Sequence, residues 1–164
     1  MHIFFFNSSG RKDTTIFSTH SAFAALIKDG SVVTWGNSKR CGNSRIVQCD
    51  LKEKGVVDTI YSTGGAFAAL MLDGSVVTWG DTRWGGNSIA VQEVLKETGT
   101  GVETIYSTSG AFAALTSDGT VVAWGNRRYG GNSGSVQNKL KNIKTIYSTG
   151  GAFAALMLDG SVVT

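Results

Sequence analysis

The apolar positions of this chain alternate, break and alternate again on a short cycle. Thr59-Ile60-Tyr61-Ser62-Thr63 is β-branched and aromatic and predicts a first strand. Gly64-Gly65 interrupts it as a turn. Ala66-Phe67-Ala68-Ala69-Leu70 predicts a second strand. Alanine is a poor strand former, so its use there points to packing, with small side chains letting neighbouring sheets approach near a crowded axis. Asp73-Gly74 predicts a two-residue hairpin of type I′, which needs positive φ at both central residues. Ser75-Val76-Val77-Thr78-Trp79 predicts a third strand, with Val77 and Trp79 on one face and Val76 and Thr78 on the other. A tryptophan at that strand end is placed to plug the gap between adjacent sheets. After Gly80 the alternation stops over residues 81–88. Val91 and Leu95 then share a face at i, i+4 and predict a short helix that Asn87 or Ser88 caps.

The whole cycle recurs. It begins at Thr15, Thr59, Thr104 and Thr145, a repeat of 41 to 45 residues. Trp35-Gly36, Trp79-Gly80 and Trp124-Gly125 close the third strand, and the fourth copy reaches Thr164 one position short of its tryptophan. The helix recurs as Val47-Gln48 with Leu51-Lys52 and as Val136-Gln137 with Leu140-Lys141. Differences in length fall after it, which marks that segment as an exposed connection. Such periodicity means an array of one supersecondary unit that buries its core against its neighbours. The expected fold is all-β: a partial β-propeller of about three and a half blades, each of short antiparallel strands plus a short helical turn. A β-solenoid is the runner-up, but its coils are shorter and lack the Asp-Gly hairpin. The expected division is 15–58, 59–103 and 104–144 for three repeats and 145–164 for a truncated fourth. Residues 1–14 match no part of the repeat and form a lead-in or cap, in which Phe4 to Phe6 can cover the first blade.

The stretch from Ala66 to Gly80, A-F-A-A-L-x-x-D-G-S-V-V-T-W-G, resembles the repeat of the regulator of chromosome condensation family, and the resemblance runs from Thr15 to Thr164. The family implies a β-propeller, commonly of seven blades. Its glycine-rich loop looks replaced here by Gly85-Gly86-Asn87-Ser88, Gly130-Gly131-Asn132-Ser133 and Cys41-Gly42-Asn43-Ser44, as in a divergent branch. The functions carried by this fold are unrelated to one another, so the fold does not fix the function. What they share is protein binding through the loops of one propeller face. Three and a half blades do not close a ring, so the array is expected either to belong to a longer chain or to complete a ring with a second copy.

Composition narrows the function. The 164 residues include 22 glycines and no proline, which fits many tight turns. A net charge of +3 permits anionic partners without demanding them. No apolar run approaches a membrane span, and no signal segment is legible. Cys41 and Cys49 occur only in the first unit, so they read as incidental thiols. These features lean towards an intracellular setting without fixing a compartment. The two histidines, His2 and His20, do not recur, and no H-E-x-x-H, C-x-x-C or Walker pattern is present. His20 reads as an exposed turn residue. Asp29, Asp73, Asp118 and Asp159 belong to the hairpins. No catalytic, cofactor or metal residue is therefore expected, and the chain is not expected to be an enzyme.

One recurring feature carries binding chemistry. The loop after each Trp-Gly has a basic residue at the same place, Lys39, Arg83 and Arg128, followed by Arg40, Trp84 and Tyr129, with Arg127 before Arg128. Equivalent propeller loops share a face, so these seven residues are expected to form an arc of positive charge interleaved with aromatics, a combination favoured in binding hot spots. The expected function is a non-catalytic protein-binding scaffold using that arc. Chromatin or nucleic acid is the competing partner, through phosphate contacts and base stacking. A solvated loop that only covers the blade tryptophans accounts for the same residues. The chain is then a structural repeat module whose activity lies elsewhere in a longer protein. Lys52, Lys96 and Lys141 end each predicted helix and suit its dipole.

Overall fold

The computed structural model describes residues 14–38, 41–97 and 101–164. It holds four three-stranded antiparallel sheets in chain order: β1 (Thr15–Ser18), β2 (Ala22–Leu26) and β3 (Val32–Gly36); β4 (Val57–Ser62), β5 (Ala66–Met71) and β6 (Val76–Gly80); β7 (Val102–Ser107), β8 (Ala111–Thr116) and β9 (Val121–Gly125); β10 (Ile143–Ser148), β11 (Phe153–Met157) and β12 (Val162–Val163). Each sheet is a meander, because antiparallel strands need only short turns. The second strand pairs on both sides, as in Phe67 opposite Ser62 and Trp79. The fold is a partial propeller of four consecutive blades, the last with a third strand of only two residues.

Neighbouring blades meet through their first strands, β1 with β4, β4 with β7 and β7 with β10, which places these strands innermost. The Tyr61 hydroxyl lies 3.1 Å from that of Thr104, and the Tyr106 hydroxyl 3.0 Å from that of Thr145. Where the first strand ends, backbone bonds run from blade to blade. The His20 N–H donates to the Gly64 carbonyl at 3.2 Å, Gly64 to Ser109 at 2.8 Å and Ser109 to Gly150 at 3.0 Å. The alanines occupy the central strand of each sheet, not the innermost one. Every residue of β5 and of β8 is buried, because a blade covers each face.

Three blade junctions form the core. Val77 and Trp79 point back towards Ala22, Ala24 and Val32 of the preceding blade, whereas Val76 points forward with Ala66, Ala68 and Leu70 towards Phe112 and Trp124. The two faces of the third strand are those the alternation predicts. Trp124 does plug its gap, and its indole N–H donates to the Gly85 carbonyl across the junction at 3.1 Å.

Two local expectations are corrected. The Asp-Gly hairpins are not type I′, since only the glycine has positive φ, as at Gly74 with φ 79°. The Gly74 N–H donates to the Met71 carbonyl and the Met71 N–H to the Ser75 carbonyl, a three-residue loop with glycine in the left-handed position. Asp73 instead accepts the Ser75 N–H on its side chain at 2.8 Å. The third unit has no α-helix where the first two have α1 (Gln48–Glu53) and α2 (Ile89–Glu97). It makes only a 3-10 turn, Gln137–Lys139, and Lys141 lies beyond it. Gly134-Ser135 replaces Ile89-Ala90 there, and glycine and serine favour a helix less than isoleucine or alanine flanked by helix formers.

The glutamine of each helical turn is a clamp. Gln48, Gln92 and Gln137 donate through Nε2 to the Val32, Val76 and Val121 carbonyls, at 3.2, 3.0 and 2.8 Å. This ties the outer turn to the third strand and sets where the intervening loop can go.

Candidate functional site

The loop after the third strand winds into one 3-10 turn, Thr82–Trp84 in the second blade and Arg127–Tyr129 in the third. Asp81 caps the first by accepting the Arg83 N–H on its carboxylate, and Asn126 caps the second by accepting the Arg128 N–H at 2.9 Å. Gly85 and Gly130 end the turns in the left-handed region. Cys41 stands at their place in the first blade with φ 68°, buried and free, its thiol pKa raised by that burial. Each loop is anchored inward by a threonine. The Thr63 hydroxyl donates to the Trp84 carbonyl at 2.9 Å, and that of Thr108 to the Tyr129 carbonyl at 2.8 Å.

The glycine pairs act through space and not through backbone freedom, since neither Gly64 nor Gly65 has positive φ. A Cβ on Gly65 would lie 3.2 Å from the Trp84 ring, and one on Gly110 would lie 2.9 Å from the Tyr129 ring. The glycine is a flat seat for the loop aromatic of its own blade.

Seated this way, the aromatics meet. Trp84 and Tyr129 stack with centroids 5.8 Å apart and planes at 29°, and His20 sits edge-on to Trp84 at 6.2 Å. Trp84 and Tyr129 are half-buried and His20 is exposed. His20 therefore joins the row, a role its sequence position concealed. The available signal was the repeat alignment, which puts His20 level with Gly64, the residue under the Trp84 ring.

The charges differ between loops. Arg83 is exposed but tied to Asp81, with Nε donating to Oδ1 at 3.1 Å and the terminal nitrogen to Oδ2 at 2.7 Å. This hydrogen-bonded carboxylate raises the Arg83 pKa and offsets its charge. The third loop has Asn126 in place of Asp81, so Arg127 and Arg128 stand exposed without a carboxylate partner among the described residues. Of these two loops, the third therefore carries the unpaired positive charge. Lys39 and Arg40 lie outside the described residues.

Beside the aromatic row the ends of the first strands enclose a shallow concavity of about 420 Å³, lined by Ser18, His20, Ser62, Thr63, Ser107 and Thr108 among others. A larger groove of about 610 Å³ runs between the outer parts of the first two blades, past Asp50, Lys54, Gln92 and Lys96, and is lined by neither Arg83, Arg127 nor Arg128. Among the described residues no three or more His, Cys, Asp or Glu side chains gather where they could hold a metal. No helix among them is long and apolar enough to cross a membrane.

Solved structures share this architecture. Yeast RCC1 (Prp20) bound to Kap60 matches with a TM-score of 0.64 at 20% identity, over 91% of this chain and 42% of that one. The fold is an RCC1-like β-propeller repeat. Prp20p from Saccharomyces cerevisiae, whose structure is described with its binding properties to Gsp1p and histones, matches with a TM-score of 0.60 at 18% identity, over 91% and 43%. The ectodomain of the Physcomitrella patens receptor kinase CR4 matches at 0.59 and 15%, over 90% and 39%. The RCC1-like arc described here thus spans less than half the length of these chains. No protein-family model and no curated protein matches the sequence.

Proposed function

We propose that this chain is a non-catalytic protein-binding scaffold whose contact edge is built from Arg83, Trp84, Arg127, Arg128 and Tyr129, the sequence equivalents of which in the first repeat include Lys39 and Arg40. The observation that carries this reading is the stacked Trp84–Tyr129 pair beside two arginines without carboxylate partners. A rigid aromatic surface rimmed by arginine suits an acidic patch on a folded partner, because both side-chain types present large contact area and directional donors. The similar Prp20 structure is that of a complex with another protein, Kap60, which supports protein recognition as the class.

The test is capture with the tagged chain, comparing wild type with Arg127→Ala/Arg128→Ala and with Arg45→Ala, an exposed arginine away from this edge. A protein held by wild type and by Arg45→Ala, lost by the double variant and unaffected by nuclease is the expected result. Capture that nuclease abolishes, and that weakens steeply with log salt, would replace protein by nucleic acid as the partner of the same edge. Capture indifferent to the double variant would overturn the site.

A further inference from the structure

We propose that the groove on the outer side of the junction between the first two blades docks a peptide segment of a partner protein, one with a bulky apolar residue next to an acidic one. It is a second binding surface, distinct from the arginine edge. The groove encloses about 610 Å³, within the range of ligand-binding clefts. Its lining comes from the outer turn and α1 of the first blade and from β6 and α2 of the second.

Two observations mark it as a site. Ile46 and Ile89 are 89% and 77% exposed, more than any other large apolar side chain among the described residues, and both line this groove. Exposed aliphatic surface gathered at one concave place suits a partner's apolar side chain. Trp79, also in the lining, is only 3% exposed, yet its indole N–H has no acceptor among the described residues. A buried donor without an acceptor is costly, and a carbonyl brought by a ligand removes that cost.

The second junction shows what the first lacks. There the equivalent Trp124 donates to the Gly85 carbonyl at 3.1 Å. Cys41 stands at the place of Gly85 and lines the groove, and a Cβ added to Gly80 would lie 2.6 Å from the Cys41 Cβ. The cysteine side chain thus takes up the room against Gly80, whereas glycine leaves its own backbone free to close on the tryptophan. In the repeat register Ile46 and Ile89 correspond to Ala90 and Gly134 at the second junction. All three departures therefore fall on one junction of an otherwise near-identical pair, and a packing role common to the blades does not account for them.

A peptide matches the groove in both respects. β6 runs along it from Val76 to Gly80, about 13 Å, the length of about four extended residues. Over that span an extended peptide alternates side chains and carbonyls, so an apolar side chain meets the isoleucines while a carbonyl accepts the Trp79 N–H. The charged residues of the lining are Lys54, Lys96 and Asp50. Two ammonium groups against one carboxylate favour an acidic neighbour in the peptide.

The experiment selects peptides from a random library displayed on phage, with the full chain as bait and Ile46→Ser/Ile89→Ser for counter-selection. Both isoleucines are exposed, so this variant is expected to fold, and circular dichroism checks it. The expected result is a set of peptides with a bulky apolar residue beside Asp or Glu. A synthetic member should shift the indole N–H resonance of Trp79, assigned by its loss in Trp79→Phe, and leave that of Trp124 in place. The double serine variant should weaken its binding about tenfold or more. Arg127→Ala/Arg128→Ala should leave it unchanged, which separates this test from that of the loop edge. Selection that yields no peptide distinguishing wild type from the double serine variant would overturn the proposal. So would a selected peptide that leaves the Trp79 resonance unmoved, or one released by the arginine variant and held by the serine variant.

Discussion

The middle blades and the end blades of this arc are nearly the same sequence in different surroundings. Phe67 and Phe112 are 0% exposed, while Phe23, in the same register opposite a tryptophan, is 44% exposed. Trp79 and Trp124 are buried and Trp35 is not. The strands form equally well in both settings, because the meander depends on pattern and turn residues. Burial depends on having a neighbour on each side. In a repeat protein most of the stability therefore lies in the junctions, and an identical residue has a different worth at each position.

Five measurements break or sharpen that contrast. The largest effect is expected from Phe67→Ala, which leaves a cavity between two blades and costs about 3–5 kcal/mol, against less than about 1.5 kcal/mol for Phe23→Ala. Urea unfolding reads both, and equal losses would mean that the first blade is covered. Next, Gly110→Ala forces a methyl against the Tyr129 ring and should cost about 1–3 kcal/mol. Gly151→Ala, whose added Cβ meets nothing within 4 Å, should leave the unfolding midpoint unchanged or slightly raised.

A smaller difference separates two buried tryptophans. Trp124 donates to Gly85, whereas the Trp79 indole N–H is buried with no acceptor among the described residues. Trp124→Phe should therefore cost about 1 kcal/mol more than Trp79→Phe by the same measurement.

Acid compares a middle hairpin with an end one. Asp118 accepts the Thr116 hydroxyl and then the Thr120 N–H, and Asp159 accepts the Ser161 hydroxyl and then the Ser161 N–H. Both carboxyls are held below their ordinary value of 3.8. A depressed folded pKa gives stability that is present above the unfolded value and is lost as pH falls through the folded one. Thermal midpoints followed downward from about pH 5 should fall below pH 4, and less steeply in Asp118→Asn than in wild type. Asp159→Asn should do less to the cooperative transition, since its hairpin joins the partly buried β11 and β12, whereas that of Asp118 joins the buried β8 to β9. The smallest effect belongs to Arg127→Ala/Arg128→Ala, which should move the unfolding free energy by no more than about 0.5 kcal/mol, because both side chains are exposed. A larger loss would make those arginines structural.

Much of the blade was legible in the sequence, and the reasons are local. Period-two alternation placed the strands of the second blade to within about two residues. The two faces of Val76 and Val77 followed from the pleat. The turn class was not legible, because Asp-Gly suits two hairpin types. The choice was made by the Asp73 side chain, which holds the Ser75 N–H and leaves positive φ to Gly74 alone. The third helix was overread because Val136 and Leu140 keep the apolar spacing while Gly134-Ser135 weakens the helix start.

At the loop edge, residue types and positions were readable, but their pairing was not. Asp81 lies two residues before Arg83, and only the folded loop shows both guanidinium contacts on that carboxylate. The seat that Gly65 provides for Trp84 is a contact across nineteen residues of sequence, and His20 reaches Trp84 across sixty-four. No local pattern encodes such distances.

By itself, then, the sequence determined the repeat, the strands, the hairpin positions and the tryptophans Trp79 and Trp124 that fill two of the junctions, because each depends on a few consecutive residues. The tertiary structure decided which copies of a residue are buried and that three aromatic rings from three blades form one row. Those outcomes depend on what the neighbouring blade supplies, and near-identical repeats carry no record of which neighbours are present.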